Sequence, residues 1–483
     1  MSIRILQPRI MLGDPHDCTD AADELCVQGA IYDTLIRREG TRFVPALAEA
    51  WTVADEGRTW RFSIRPGVVF HDGSPCDAKA LQASLERMAR ADKGYTLGSP
   101  AVWRQYLGGA DYQSDGLDLT IHLAEPMADF ADVLVQGLIV APSAFEALDK
   151  GEAMAHCGTG PYKLVARDDD SIQVSASGVA HWPRPANNEL TWVREPDAGK
   201  RLCAVAEGHA QVAANVDPAA VTTPDMTVLR YRAPVAIIYL LNAAKGPLRD
   251  ARVRKALTLA VDREAIVRDV LDGKGEPLCG FVSPAHFGAG VGAENGDGIS
   301  YDPEAARQLL AEAGHAGGLT LDVDCPTRLP DEAERLTEVL ARQLALVGVT
   351  LKVHIHEERE EYAHMVRRKD IRDLCVFDSS PMSTFRVLFE KIDSRVAGAW
   401  WQGYRNENVE ALIDKGRRTV DTQEREALYR DSYHLLQQDP PWLTLYNPMR
   451  AIAFAGDHPG VSMPVDGVPD MRGLPKFEGT QNG

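Results

Sequence analysis

The apolar runs of this chain are strand-sized, APVAIIYLL (233–241) being among the longest, and that length limits what the chain can become. A helix that crosses a bilayer needs about 18 apolar residues in succession. Runs this short are instead buried against other segments, and here they alternate with stretches of helical period. Asp77 precedes Leu81, Leu85 and Met88, which reads as a capped helix with one apolar stripe. Asp302-Pro303 opens another, with Leu309 and Leu310 inside it and Gly314 past its end. Leu336, Val339, Leu340, Leu344 and Val347 share a helical face. TLKVHIH (350–356) then alternates Leu351, Val353 and Ile355 with Lys352, His354 and His356, the pattern of a half-buried strand. Asp421 to Glu424 fits a variant capping box before a helix that Pro440-Pro441 stops. Such alternation predicts α/β or α+β layers, and 483 residues exceed what one core holds, so two or three domains are expected.

Charge and cysteine content narrow the class. A net charge of −18 argues against a nucleic-acid binder, which would carry a basic face. The eight cysteines form no CxxC pair, so zinc-ribbon and thioredoxin-like readings fail, and most are expected to be buried thiols. The N-terminal MSIRILQPRIMLGDPHD lacks a continuous apolar core and a small-residue cleavage site, so it does not read as a secretory signal. If Met1 is the native start, that places the protein in the cytoplasm.

Chemistry-bearing motifs are scarce. His354 and His356, followed by Glu357-Glu358, share a strand face, but it is the polar one, and a solvated face explains it better than a metal site. GAGVGAENGDG (288–298) lacks both the preceding strand and the spacing of a dinucleotide loop. No GxSxG elbow, GxxxxGK[ST] loop or HExxH pair occurs, so neither catalysis, a metal nor a cofactor is signalled. His71-Asp72, in IRPGVVFHDGSP (64–75), reads as a strand end and turn feeding the Asp77-capped helix. In CGTGPYKL (157–164) the glycines beside Thr159 allow either a close backbone approach to a ligand at Thr159 and Gly160, or a sharp structural turn.

Five blocks, taken together and in order over residues 25–455, resemble the family 5 extracytoplasmic solute-binding proteins, the dipeptide-, oligopeptide- and nickel-binding components of ABC importers. They are AIYDTLIRREGTRFVPALAEAW…FSIRPGVVFHDGSPCDAKALQASLER (30–87), GTGPYKL (158–164), IYLLNAAKGPLRDARVRKALTLAVDREAIV (238–267), YDPEAARQLLAEAG (301–314) and WWQGYRNENVEALIDKGRRTVDTQEREALYRDSYHLLQQDPPWLTLY (400–446). The resemblance implies an α/β, bilobed, type II periplasmic-binding-protein-like fold of cluster C, with an extra subdomain in lobe I and two hinge crossings. Lobe I would comprise 1–39, the extra subdomain 40–157, the segment 158–235 and a returning C-terminal segment 451–483; lobe II would be 236–450. Ligand would lie between lobes that close on it.

The same resemblance places the site. Arg328, ahead of the helix leading to Val347-Gly348-Val349, takes the place of an arginine that grips a ligand carboxylate, and a planar guanidinium can do so with two charge-assisted bonds. Asp378, in CVFDSSP (375–381), is nearest to the aspartate that holds a ligand amine. Trp400, Trp401 and Tyr404 offer rigid surfaces for a side chain, sugar ring or cation. The sequence departs from the dipeptide pattern at Phe377, at Ser379-Ser380-Pro381 and at SGVAHWPRP (177–185). The expected protein is therefore a non-enzymatic, monomeric, extracytoplasmic binder of a peptide, opine or sugar conjugate, partnered by a membrane permease. A cytoplasmic ligand sensor on the same fold, and a hydrolase of peptides or glycoconjugates, remain the alternatives.

Overall fold

The computed structural model describes residues 2–18, 21–40, 42–94, 102–278, 280–284, 286–289, 298–328, 330–379, 383–458, 463–464 and 466–477. The glycine-rich 290–297, Cys279 and Ser380-Pro381 lie outside them. The chain divides into two compact units, one of Met1–Tyr231 with Arg450–Gly483, the other of Arg232–Met449. Arg232 pairs with Glu276, and Ala233 N donates to Pro448 O at 2.9 Å, all within the second unit. The second crossing lies inside strand Trp442–Ala455.

In the first unit, strand Ile3–Gln7 runs parallel to Glu189–Arg194 and to Val212–Val216. Ser171–Ala176 and Tyr162–Arg167 extend this sheet antiparallel on one side, and residues 451–454 pair antiparallel with Val212–Val216 on the other. A separate four-stranded antiparallel sheet orders Ala48–Ala54, Thr59–Ile64, Asp118–His122 and Asp111–Asp115. Helix Ala78–Met88 packs on it. Asp77 caps that helix by accepting from Ala80 N, and Leu81, Leu85 and Met88 are buried in one stripe, as their spacing requires. IRPGVVFHDGSP contributes packing and a turn: Val68 and Phe70 are buried, and Asp72 accepts from Ser74 N at 2.9 Å.

In the second unit, Ala236–Leu241 lies between Leu374–Ser379 and residues 442–446, antiparallel to both. Leu319–Pro326 runs parallel to Leu374–Ser379 and to Val349–His356. All six residues of Ala236–Leu241 are buried, which accounts for its unbroken apolar run. Helix Pro303–Glu312 starts at Asp302 and is followed by Gly314 at φ +91°. Helix Ala333–Ala345 buries Leu336, Val339, Leu340 and Leu344.

Strand Val349–His356 departs from the alternation its sequence predicts. Val353 and Ile355 are 44% and 48% exposed, while His354 and His356 are half-buried. The reason is electrostatic and local. His354 Nε2 lies 2.6 Å from Asp322 Oδ1, and His356 Nε2 lies 2.8 Å from Asp324 Oδ1, both acids on the parallel neighbour. The Tyr362 ring covers His356 at 5.4 Å. The histidine face is partly solvated, with His354 and Asp322 37% and 41% exposed, its partners are carboxylates, and no His/Cys/Asp/Glu cluster suited to a metal exists among the described residues. The seven described cysteines are free thiols, of which Cys18, Cys26, Cys76, Cys325 and Cys375 are buried.

The family-like motifs fold inward onto backbone carbonyls. Arg254, of ARVRKAL, is buried and donates to Leu248 O at 2.6 Å, Arg249 O at 3.1 Å and Pro440 O at 2.9 Å, and pairs with Asp439. Arg263, of VDREAIV, reaches Thr444 O at 2.7 Å and the carbonyls of Thr258 and Val261. Asn242 Nδ2 donates to Ile371 O and Arg372 O at 3.0 and 2.8 Å. A buried carbonyl without a donor costs free energy comparable to a lost hydrogen bond. Replacing Arg254 by Met should therefore lower the stability of the second unit by roughly 3–5 kcal/mol, read as an earlier urea midpoint.

Two histidines of the first unit are buried and neutral. His16 Nε2 donates to Leu138 O at 3.0 Å, and its Nδ1 accepts from Arg87 at 2.9 Å. Burial, reinforced by the Arg87 charge, pulls His16 down to about 3. Burial likewise pulls His156, which accepts from Tyr32 Oη at 2.9 Å, down to about 4. Both take up protons in the unfolded chain before the folded one, so stability should fall as pH drops below about 6.5, by up to ~1.4 kcal/mol per pH unit for each. Burial alone would raise Asp14, yet Arg87 and Lys93 hold its carboxyl well below the usual range, so that contribution is lost only at lower pH. Melting curves from pH 7 to 4.5 should show the slope, and His16→Gln should flatten it.

Candidate functional site

The GTGPY turn of the first unit is held by its own chain. A Cβ on Gly158 would sit 2.3 Å from Ile31 O, and one on Gly160 2.6 Å from Ala30 O, so only glycine fits against the end of helix Ala22–Ile31. His71 Nε2 donates to Gly160 O at 2.9 Å and His71 N to Gly158 O at 2.9 Å; His181 Nε2 reaches Thr159 O at 2.9 Å. Thr159 is wholly buried, and its Oγ1 donates to Asp33 Oδ2 at 2.9 Å. At Gly158 and Gly160 the structure shows the sharp-turn alternative, with the backbone close against a helix end.

Asp33 organises this cluster and carries no signal in composition, only its place in the YDTL element. The same Oδ2 accepts from Trp182 Nε1 at 2.9 Å, and Arg472 Nη1 lies 3.6 Å from Oδ1. The guanidinium groups of Arg37 and Arg472 each lie 5.5 Å from the Trp182 ring centre, within cation–π range. Arg472 is also paired with Asp470 at 2.7 Å. Trp182 lies in the SGVAHWPRP segment, and its indole N–H ties that segment to Asp33.

In the second unit, strand Leu374–Ser379 presents Phe377, Asp378 and Ser379 in succession. The Trp400 ring, half-buried, lies 4.3 Å from that of Phe377, and Tyr362 stacks beyond Phe377 at 6.3 Å. Lys391 Nζ donates to Ser379 Oγ at 3.1 Å and sits 5.9 Å from the Trp400 ring centre. Lys391 comes from the π-helical segment Leu388–Ile392, a rare local geometry frequent at functional sites. Phe377 and Lys391 are both buried, so the half-buried Trp400 ring is the part of this cluster open to a flat, apolar group.

The other expected residues divide. Asp378 is half-buried on the same strand as Phe377. Trp401 is half-buried with its Nε1 donating to Tyr404 O at 2.6 Å. Tyr404 is 3% exposed beneath the Arg254 guanidinium, so it packs the fold and offers no open surface. Arg328 is exposed after strand Leu319–Pro326, and among the described residues no hydrogen bond or ion pair ties it to the Trp400 cluster. Sequence reading missed Lys391, whose signal would have been a lysine within an amphipathic stretch beside the CVFDSSP strand.

Residues 42–377 match the family described as bacterial extracellular solute-binding proteins, family 5 middle. The glutathione-binding protein GsiB of Salmonella paratyphi A is 25% identical over 453 residues, covering 89% of this chain and 86% of that protein. The dipeptide-binding protein of Escherichia coli is 27% identical over 449 residues, covering 85% and 83%. Among solved structures, HbpA2 from Haemophilus parasuis superposes with a TM-score of 0.82 at 22% identity, covering 98% of this chain and 99% of that one. With 42–377 matched and its α/β, two-unit fold shared, the chain belongs to the family 5 bacterial extracellular solute-binding proteins.

Proposed function

We propose that the protein captures a small peptide or peptide-like solute outside the cytoplasm, serves as the binding component of an ABC importer, and releases its ligand chemically unchanged. The observation that carries this reading is the Trp400 cluster, where an indole plane lies 4.3 Å from Phe377 with the Lys391 ammonium over it at 5.9 Å. Glutathione, a peptide with two carboxylates and one amine, is the leading probe, since GsiB binds it. Arg328 supplies a guanidinium for a carboxylate, Asp378 an acceptor for an ammonium, and Trp401 supports the ring beside it. The two units act as lobes, with residues 40–157 as the extra subdomain of the first.

Isothermal calorimetry with reduced glutathione and a set of di- and tripeptides tests this. Wild-type protein should bind at least one of them, and Trp400→Ala should weaken that binding about tenfold or more, ~1.4 kcal/mol, with the melting temperature little changed. Ligand recovered afterwards should be intact. Equal affinity in the Trp400→Ala protein, or cleaved ligand, would exclude the proposed site or the proposed class.

A further inference from the structure

Trp400 follows two carbonyls that one lysine holds. Helix Arg359–Arg367 ends in a Schellman turn, with Asp370 N donating to Met365 O at 3.1 Å and Lys369 N to Val366 O at 3.0 Å. Lys369 occupies the left-handed position of that turn at φ +66°, where glycine is favoured because a side chain strains the backbone. The other left-handed non-glycine residues include Asn215, Asp55 and Asp272, types that tolerate the conformation; a lysine has no such compensation from its own backbone. Its side chain reaches elsewhere. Lys369 Nζ donates to Ala399 O at 2.9 Å and also to Gly398 O, the two carbonyls immediately before Trp400.

Among the described residues no carboxylate pairs with Lys369, and burial pulls its ammonium down to about 8. The loop it holds is constrained from the other side as well. Ala397 sits at φ +46°, and a Cβ on Gly398 would lie 2.0 Å from Glu390 O, so the peptide ahead of Trp400 is wedged against the π-helical segment. Gln402 Nε2 donates to Val366 O at 2.9 Å, tying the far side of Trp400 to the same helix end.

We propose that Lys369 is a positioning residue for Trp400, its ammonium fixing the Gly398–Ala399 peptides so that the indole is held against Phe377. That the ring then serves a solute rests on the function proposed above; the positioning itself does not.

The test combines Lys369→Met, Lys369→Gly and Lys369→Arg with acrylamide quenching of tryptophan emission, the Trp400 component being isolated by subtracting the Trp400→Phe protein. Lys369→Met and Lys369→Gly should raise the quenching constant of that component about twofold or more, as local opening of the loop becomes easier. Lys369→Arg, which keeps a donor for two carbonyls, should restore the wild-type value. Lys369→Gly should melt no lower than wild type, because it relieves the left-handed strain, and this separates positioning from general stability. If the Trp400 component is quenched equally in wild type, Lys369→Met and Lys369→Gly, the proposal is overturned. Glutathione calorimetry forms a second arm. Lys369→Met should weaken binding about tenfold where wild type binds. Absence of binding by wild type would count against the ligand proposed above and leave the quenching result to decide the role of Lys369.

Discussion

A guanidinium buried among carbonyls is the interaction on which the second unit depends. Arg254 donates to Leu248, Arg249 and Pro440 O and pairs with Asp439. The Asp439 carboxylate accepts in turn from Asn406 Nδ2 at 3.1 Å, and Asn406 caps helix Glu407–Arg418. The same guanidinium lies over the Tyr404 ring, whose carbonyl accepts from Trp401. One buried cation thus joins the start of helix Ala251–Leu259, the end of helix Thr422–Gln438 and the loop that carries the tryptophans. Its cost is desolvation, which such a group meets only when nearly every N–H finds an acceptor.

The first unit uses the same device with different partners. Arg201 donates to the carbonyls of Glu195, Pro196, Ala214 and Asn215, while Arg87 is embedded between Asp14, Asp149 and His16. Glycines complete the arrangement where backbone meets backbone, as at Gly158 and Gly160. Of the residues in the five family-like blocks, Arg254, Arg263, Gly158 and Gly160 are of this kind. They satisfy buried carbonyls or permit close approach, and so they record the scaffold and not the solute. Under the proposed function, recognition falls to side chains laid over that scaffold, above all Trp400 beside Phe377 and Lys391.

Much of the scaffold could be read from the sequence because its determinants are local. Asp77, Asp302 and Asp421 cap helices where their spacing to apolar stripes requires, and the run AIIYLL is buried on both faces as its lack of alternation implies. What escaped reading depends on partners distant in the chain. Val353 and Ile355 look inward by periodicity but are exposed, while His354 and His356 pair with Asp322 and Asp324, some thirty residues away. The sequence leaves CGTGPYKL open between a ligand approach and a turn, and the contacts with Ile31 and Asp33 that shape the turn come from far along the chain. Tyr404 looks like a binding aromatic until Arg254, 150 residues earlier, is found over it. Lys369 and Lys391 gave no motif, since their meaning lies in carbonyls and rings that only the fold assembles.

Binding without chemistry, centred on Trp400, is most directly tested by native mass spectrometry of the protein purified from its own host without denaturation. The expected spectrum shows one small, intact molecule held non-covalently by the wild-type chain, released on gentle activation and missing from Trp400→Ala protein prepared alongside. A ligand retained equally by both proteins, or recovered as cleaved fragments, would contradict it.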